Sequence, residues 1–285
     1  MALALMRLAA RAPLRMLHAV GVALGWLAYC SLAYRRDLRR NLALAGYEGD
    51  RRVRRAAIGE AGKMVVEAPK IVLGPREETL ALVRAFEGRE HIAQARAAGK
   101  GIVYLTPHFG CFELAGQALN ELGPITVLFR RPKIAWLGEL LEQRRQRSDG
   151  HMAAADLSGV RALLAALKRK EAIFLLPDQV PGRGEGVWAE FFGKPAYTMT
   201  LAARLAERSD SVCLVVTCER LPAGKGFAMH VRPLPPALSG ESTARRINRA
   251  LEETIRARPE QYLWGYNRYK RPAGAAPPPG DEAAA

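Results

Sequence analysis

A histidine and a glutamate, five residues apart, are the side chains of this sequence best suited to proton transfer. His108 follows the apolar run at 101–105, and Glu113 falls in the first turn of the helix predicted after it. In a continuous helix the two would lie on different faces, because each residue advances about 100°. Pro107 and Gly110 predict a non-helical bend that lets the imidazole fold back toward the carboxylate.

The chemistry of such a pair is general-base catalysis. A carboxylate on one imidazole nitrogen fixes the tautomer and raises basicity, so that the other nitrogen can accept a hydroxyl proton. Direct acyl transfer to a hydroxyl, without a covalent enzyme intermediate, needs that arrangement. On the pair alone, a structural histidine beside a strand stays an alternative. The remaining histidines have no comparable neighbourhood and are predicted to be structural or solvent-exposed: His18, His91, His151 and His230.

The elements that must position this pair follow from the hydrophobic pattern. Short apolar runs predict strands at 101–105, 125–129, 172–176, 212–217 and 227–231. Helices are predicted at 113–122, 134–147, 158–169 and 196–208, and over the Ser/Thr-initiated run that ends at Pro259. This alternation predicts an α/β fold with a largely parallel central sheet flanked by helices. The pair would then lie where a strand end opens into a helix, as reactive groups of α/β proteins do.

The N-terminal region predicts a membrane attachment. Residues 16–34 are apolar, and their number approaches the roughly 20 residues that cross a bilayer. Arginines flank them, and the denser cluster at 35–40 follows the apolar run, which predicts that this side stays in the cytoplasm. We expect a membrane-embedded helix, spanning or lying in one leaflet. A cleavable signal peptide and a buried helix of the soluble domain are the alternatives.

The rest of the chain completes the predicted organisation. Pro69 and the Gly74-Pro75 pair predict two or three short helices over residues 48–98. The tail is rich in Pro, Ala and Gly and is predicted to be disordered. The predicted divisions are a membrane anchor helix with its basic flank at 1–45, a catalytic domain at 46–272 and a disordered tail at 273–285.

The net charge of the chain limits the classes of partner that it is expected to bind. A formal net charge of +15 favours polyanionic partners, a class that includes nucleic acid, an anionic membrane and an acidic carrier or substrate. No nucleic-acid-binding module is recognisable, and the apolar N-terminal segment argues against that class. A serine hydrolase is another alternative, but Ser242 lacks a preceding strand and fits a helix N-cap better. The four cysteines form no Cys-x-x-Cys pair, and no His/Cys group has the spacing of a zinc site.

Five segments carry a family resemblance. In order, they are RRDLRRNLALAG (35–46), TPHFGCFE (106–113), LFRRPK (128–133), LLPDQVPGRGEGVWAEFFGKPA (175–196) and PEQYLWGYNRYKRP (259–272). Together they resemble the lipid A biosynthesis lauroyl/myristoyl acyltransferases, the late acyltransferases of Gram-negative bacteria. That family lies within the superfamily that carries a His-x4-Asp/Glu box.

The resemblance implies an inner-membrane enzyme whose catalytic domain lies on the cytoplasmic face. It implies that acyl carrier protein donates the acyl chain to a hydroxyl of a lipid A precursor. His108 would be the base and Glu113 its orienting partner. No metal or organic cofactor is expected, and the expected partners are the acidic carrier, the lipid and an anionic membrane, with no nucleic acid.

The same resemblance assigns substrate contacts. Arg131 would contact phosphate or the developing oxyanion, with Arg130 beside it able to hold that role instead. Asp178 and Gln179 would line the acceptor or thioester site, and the glycines around Arg183 would let a loop approach a headgroup. From the residues alone, the two neighbouring arginines could be a solvated patch and Asp178 a helix cap or turn residue. Other glycolipids or aminolipids stay open as acceptors.

Overall fold

The computed structural model describes residues 2–129, 150–182 and 184–279. The helices are α1 Ala2–Arg11, α2 Leu14–Tyr29, α3 Leu32–Leu44, α4 Arg51–Leu73, α5 Arg76–Leu80, α6 Arg89–Ala97, α7 Phe112–Asn120, α8 Leu157–Lys168, α9 Thr200–Arg208 and α10 Thr243–Ala257. The strands are β1 Val83–Glu87, β2 Gly101–Leu105, β3 Ile125–Phe129, β4 His151–Ala154, β5 Ala172–Leu175, β6 Gly186–Phe191, β7 Lys194–Met199, β8 Ser211–Arg220 and β9 Phe227–Pro233.

Within these residues, seven strands form one sheet in the order β1-β9-β8-β2-β5-β3-β4. Every neighbouring pair is parallel except β8 and β9. The strand β2 is buried throughout, and its alternate side chains serve two cores. Val103 and Leu105 join the core on one face, and Ile102 and Tyr104 join the core on the other. The predicted α/β fold with a largely parallel sheet flanked by helices is confirmed.

All five predicted strands are present, but the sequence patterns missed β1, β4, β6 and β7. The strands β6 and β7 form a separate antiparallel hairpin, and Phe191 pairs with Lys194 across its turn. Phe192 and Gly193 form this two-residue turn with φ of 49° and 74°, as hairpins require. The helix predicted at 196–208 therefore starts only at Thr200, because its first residues belong to β7.

Three helices, α4, α5 and α6, lie within residues 48–98 as predicted, but α4 is not short. It runs for 23 residues and contains Pro69. A proline in a helix interior costs about 3 kcal/mol, so packing must outweigh it. Gly62 of α4 lies against Gly21 of α2 so closely that an added Cβ would be 1.8 Å from the Gly21 carbonyl oxygen. This close backbone contact fixes α4 along the N-terminal helices.

The apolar segment predicted as one membrane helix forms two helices. Among the described helices, none by itself is both long and apolar enough to cross a membrane, whereas α2 and α3 meet these criteria as a pair bent by 100°. The two faces of α2 differ in exposure. Leu14, Leu17 and His18 are buried against the protein, while Leu24 and Leu27 are exposed. The membrane attachment stays a prediction.

Two other predictions concern segments that lie wholly or partly outside the described residues. The helix predicted at 134–147 lies outside them. Of the tail predicted to be disordered, residues 273–279 are described, and the indole Nε1 of Trp188 donates to the carbonyl oxygen of Ala276 at 3.0 Å.

Candidate active site

The loop between β2 and α7 carries His108, and main-chain hydrogen bonds hold it in place. The amide of His108 donates to Asp178 Oδ2 at 2.8 Å, and its carbonyl accepts from the Leu263 amide at 3.0 Å. Gly110 turns the loop with φ of +53°, and an added Cβ there would lie 2.0 Å from the Cys218 carbonyl oxygen. The position therefore requires glycine, both for its left-handed backbone and for this close contact.

The imidazole of His108 is hydrogen-bonded through both ring nitrogens. Nδ1 lies 2.7 Å from Asp178 Oδ1, and Nε2 lies 3.1 Å from the side-chain nitrogen of Gln179. An ionised carboxylate only accepts, so the proton belongs on Nδ1 and the lone pair on Nε2. This tautomer leaves Nε2 as the basic nitrogen, which is the form that a general base needs.

The sheet explains how residues 70 positions apart meet. Leu105 of β2 pairs with Leu175 of β5, and each strand ends there. His108 and Asp178 each follow three residues later, so the parallel register brings their side chains together. The carboxyl edge of the sheet thus builds the dyad.

Asp178 is a buried anion. Burial opposes its ionisation, but the charge of His108, the hydrogen bonds from His108 and the charge of Arg268 outweigh it, so that the pKa of Asp178 lies below its usual value. The buried Tyr262 also lies close enough to this carboxylate for the Asp178 charge to act on its phenol. Burial, together with the Asp178 charge, raises the pKa of Tyr262 well above its usual value, so the phenol stays a donor. The carboxylate is thus held ionised beside the imidazole.

A cavity of about 220 Å³ opens beside His108. Its polar lining residues are His108, Glu113, Gln117 and Asn120, and its larger apolar ones are Phe112, Ile125, Val127, Leu128, Met152, Phe174 and Leu176. The cavity therefore joins a basic nitrogen to a mostly hydrocarbon surface. Such a combination can hold an apolar chain with its reactive end at His108.

Sequence comparison identifies the family to which this site belongs. The family model for bacterial lipid A biosynthesis acyltransferases matches residues 1–271. The chain belongs to that family.

Individual relatives agree with this assignment. The chain is similar to the lipid A biosynthesis lauroyltransferase of Escherichia coli, at 28% identity over 92% of this chain and 88% of the relative. It is also similar to a lipid A biosynthesis acyltransferase of Haemophilus influenzae, at 31% identity. That match spans 63% of this chain and 57% of the relative. The palmitoleoyltransferase of Escherichia coli is 28% identical over 66% of this chain and 62% of its own length.

In this family member, the contacts around His108 change one prediction. Sequence reasoning made Glu113 the orienting carboxylate, but in the structure Asp178 accepts from Nδ1. The reason is geometric, because adjacent strand ends bring Asp178 directly under the imidazole. Glu113 instead lines the cavity next to the base.

Some of the other predicted site residues lie beside His108, and the rest lie outside the described residues. The structure brings Asp178 and Gln179 to His108, and both therefore belong to the site. Arg130, Arg131 and Arg183 lie outside the described residues. Within those residues, no group of three His, Cys, Asp or Glu side chains has an arrangement that could hold a metal ion.

The C-terminal aromatic segment at 259–272, one of the five that carry the resemblance, supports the site. The side chain of Asn41 donates to the carbonyls of Trp264 and Tyr266 at 2.7 and 2.6 Å. The hydroxyl of Tyr266 accepts from the Val180 amide at 2.9 Å, next to the dyad. Asn41 and this segment both belong to the five segments that carry the family resemblance, but only the fold shows that they contact each other.

A buried ionic cluster ties the N-terminal helices to the same loop. The Nε of Arg220 donates to Glu67 Oε2 at 2.9 Å, and its Nη2 donates to the Gly110 carbonyl at 3.1 Å. His18 of α2 also hydrogen-bonds to Glu67, with its Nε2 3.0 Å from Oε2. The cluster therefore connects α2, α4 and β8 to the backbone two residues after His108.

Proposed function

We propose that this protein transfers a fatty acyl chain from an acyl carrier protein thioester to a hydroxyl of a lipid A precursor, with His108 as general base. The observation that carries the proposal is the Asp178–His108 hydrogen bond beside an apolar cavity. Because His108 lines that cavity, an acyl chain bound there would have the imidazole within its surroundings. Other glycolipids or aminolipids are the alternative acceptors.

The proposed reaction needs one proton to move twice. The acceptor hydroxyl displaces the Gln179 amide from Nε2 and gives that nitrogen its proton as its oxygen attacks the thioester carbonyl. Asp178 stabilises the imidazolium that forms. When the tetrahedral intermediate collapses, the carbon–sulfur bond breaks and the leaving thiolate takes the proton from Nε2. Atoms and charge balance without a covalent enzyme intermediate.

The proposed location is the cytoplasmic face of the inner membrane. Exposed apolar side chains of α2 support it, because Leu24 and Leu27 face away from the protein. The flanking arginines would add attraction to an anionic leaflet. The same basic surface suits an acidic carrier protein as the acyl donor.

The test is a transfer assay in detergent. Radiolabelled acyl carrier protein thioesters and a tetra-acylated lipid A precursor are incubated with wild type, with His108→Ala and with His91→Ala. We expect label in the lipid from wild type and at least about a hundredfold less from His108→Ala. His91 is a matched control, because it lies on α6, away from the cavity lining; its variant should match wild type.

Two results would contradict the proposal in different ways. A folded His108→Ala variant with wild-type transfer would overturn the catalytic role of the imidazole. If wild type transfers no chain of any length to the lipid A precursor, the same assay with ornithine and mannoside lipids decides whether the acceptor assignment or the acyltransferase assignment is wrong.

A further inference from the structure

A side chain of the protein, that of Gln179, is bound to the basic nitrogen of His108. A neutral imidazole has one N–H group and one lone pair. Asp178 accepts the proton of Nδ1, so the lone pair lies on Nε2, 3.1 Å from the side-chain nitrogen of Gln179. The amide nitrogen donates there, because the amide oxygen would only oppose the lone pair. The one acceptor position of the base is therefore taken by the protein itself.

The chain on both sides of Gln179 holds this amide in place. Its neighbour Asp178 is buried and accepts from the backbone amide and from Nδ1 of His108, at 2.8 and 2.7 Å. Its other neighbour, Val180, donates its backbone amide to the Tyr266 hydroxyl at 2.9 Å. Because both neighbours are fixed, the hydrogen bond to Nε2 costs only the rotamer freedom of one side chain.

The Gln179 amide meets the base from outside the acyl cavity. His108 lines that cavity, whereas Gln179 is not among its lining residues. The ring of Phe112, which does line it, packs in an edge arrangement against the imidazole, with 5.0 Å between the ring centroids. An acyl chain in the cavity would therefore leave the amide on Nε2. The O–H group that gives its proton to Nε2 has to displace it.

A general base for lipid hydroxyls is also a base for water. If water reached Nε2 beside a bound thioester, its proton would pass to Nε2 while its oxygen bonded to the thioester carbonyl carbon. The carbon–sulfur bond would then break, and the leaving thiolate would take the proton from Nε2. The products would be a fatty acid and a thiol, and the chain would be lost for transfer.

We infer that Gln179 discriminates between the lipid hydroxyl and water, because its amide keeps water off Nε2 until the acceptor lipid binds; this inference rests on the proposed function. Water offers Nε2 one hydrogen bond and has to break an equivalent one, so it gains nothing by displacing the amide. The acceptor lipid makes further contacts through its headgroup and its chains. That binding energy can offset the lost hydrogen bond of the amide. Gln179 is thus a specificity-determining residue of the reaction.

The test measures hydrolysis in the absence of an acceptor. The radiolabelled acyl carrier protein thioesters of the transfer assay are incubated in detergent with wild type and with Gln179→Met, and the released fatty acid is counted. Methionine keeps the approximate length of the side chain and removes the donor. The net contribution of one hydrogen bond corresponds to about fivefold in occupancy, so Gln179→Met should hydrolyse the thioester about fivefold faster than wild type.

Two controls tie this gain of hydrolysis to the base. Gln94→Met makes the same chemical change at an exposed position of α6, outside the cavity lining, and should hydrolyse at the wild-type rate. The double variant His108→Ala, Gln179→Met should lose the gain, since water then has no base to accept its proton. A gain that survives in the double variant would show that another group activates water, and the inference would be wrong.

Gln179→Ala separates the hydrogen bond from the volume of the side chain. Alanine removes the donor and also opens space, so both Gln179 variants should gain hydrolysis if the amide protects the base. If only Gln179→Ala gains it, the volume of the side chain excludes water and the inference about the amide is overturned. A merely structural role would lower transfer and hydrolysis together, so a folded Gln179→Met with unchanged or slower hydrolysis overturns the inference as well.

Failure of the inference differs from failure of the proposed function. If wild type acylates the lipid A precursor and Gln179→Met hydrolyses the thioester no faster than wild type does, only the inference falls. If wild type acylates none of the lipids tested but Gln179→Met hydrolyses the thioester through His108, Gln179 protects the base and the proposed acceptor falls.

Discussion

At the scale of single residues, the site depends on the state of Asp178. The carboxylate accepts from Nδ1 of His108 and from its backbone amide, so it fixes the ring and the loop together. Its pKa is held below the usual value, because the charge and hydrogen bonds of His108 outweigh the effect of burial. It therefore stays an acceptor at neutral pH and keeps the lone pair of the imidazole on Nε2.

Asp178→Asn tests this assignment against the one made from sequence. An amide can present a donor to Nδ1 and hold the wrong tautomer, so we expect kcat to fall by roughly a hundredfold to ten-thousandfold. Glu113→Gln is the matched control, since it makes the same chemical change in the same cavity. It should reduce kcat much less and act mainly on KM. A larger loss of kcat in Glu113→Gln than in Asp178→Asn would return the orienting role to Glu113.

The sequence predicted some residues of the site with their roles, and for others it did not predict the role. His108 stood out because its strand-to-turn context is local, and local patterns can be read from sequence. The role of Asp178 depends on the register between β2 and β5, which no spacing in the sequence specifies. The contacts of Asn41 with Trp264 and Tyr266 were missed for the same reason, since the residues that they join are 223 and 225 positions apart in the sequence.

At the scale of elements, the buried cluster around Glu67 decides how the N-terminal helices are attached. Burial disfavours the ionised form of Glu67, but the charge and hydrogen bonds of Arg220, with smaller contributions from His18, outweigh this and hold the pKa of Glu67 below its usual value. Burial alone would lower the pKa of Arg220, but the charges of Glu67 and Glu60 raise it. The two groups thus stay charged together inside the protein.

Glu67→Gln should therefore destabilise the fold. It leaves the buried Arg220 with one charged partner fewer, and breaking a buried pair costs about 3 kcal/mol or more of unfolding free energy. Urea unfolding at pH 7 measures this loss. Glu121→Gln is the control, because its pair with Arg76 is partly exposed and should be worth less than about 1 kcal/mol.

The sign of the pH dependence follows from the lowered pKa. As pH falls below about 4.5, the unfolded Glu67 binds a proton before the folded one, so wild type loses stability until the folded group is protonated too. Glu67→Gln lacks this contribution at every pH, and the gap between the two proteins should narrow on acidification. A gap that stays constant from pH 7 down through the acid range below about 4.5, where the unfolded carboxyl takes up its proton, would contradict a contribution of the Glu67 charge to stability.

The elements themselves show where hydrophobic patterns suffice. The long apolar runs of the buried strands were predicted correctly, because a strand covered on both faces is apolar throughout. The missed strand β1 at the edge of the sheet has largely exposed side chains, and β6 alternates in burial, so neither forms an apolar run. In α4 the backbone contact between Gly62 and Gly21 outweighs the local signal of Pro69.

At the scale of the whole molecule, the N-terminal helices present an uncovered apolar face. Its exposed members are Leu5, Leu8, Met16, Val20, Leu24, Trp26, Leu27 and Leu32. Leu24 and Leu27 of α2 are 43% and 68% exposed, whereas Gly21 and Gly25 of the same helix are buried. Met16, Val20, Leu24 and Leu27 recur at intervals of three or four residues and therefore lie along one side of α2. An exposed apolar side of this kind is typical of an interaction surface, and the arginines around it match an anionic leaflet.

The double variant Leu24→Glu, Leu27→Glu tests whether this face binds the membrane. Each leucine that enters the acyl boundary contributes about 1.5–3 kcal/mol, so the double variant should lose at least a hundredfold in partitioning to vesicles of anionic phospholipid. Leu238→Glu is the control, because Leu238 is 60% exposed but lies outside the N-terminal helices, just before α10. Cosedimentation with vesicles measures the membrane binding of all three proteins, and transfer of a short acyl chain to detergent-dispersed lipid checks that the site remains intact.

If the double variant sediments with vesicles as wild type does, the apolar face has another partner and the attachment must come from elsewhere in the chain. If it is released while Leu238→Glu still binds, α2 lies in the interface, and the ionic cluster of Glu67 and Arg220 links that helix to the loop of His108.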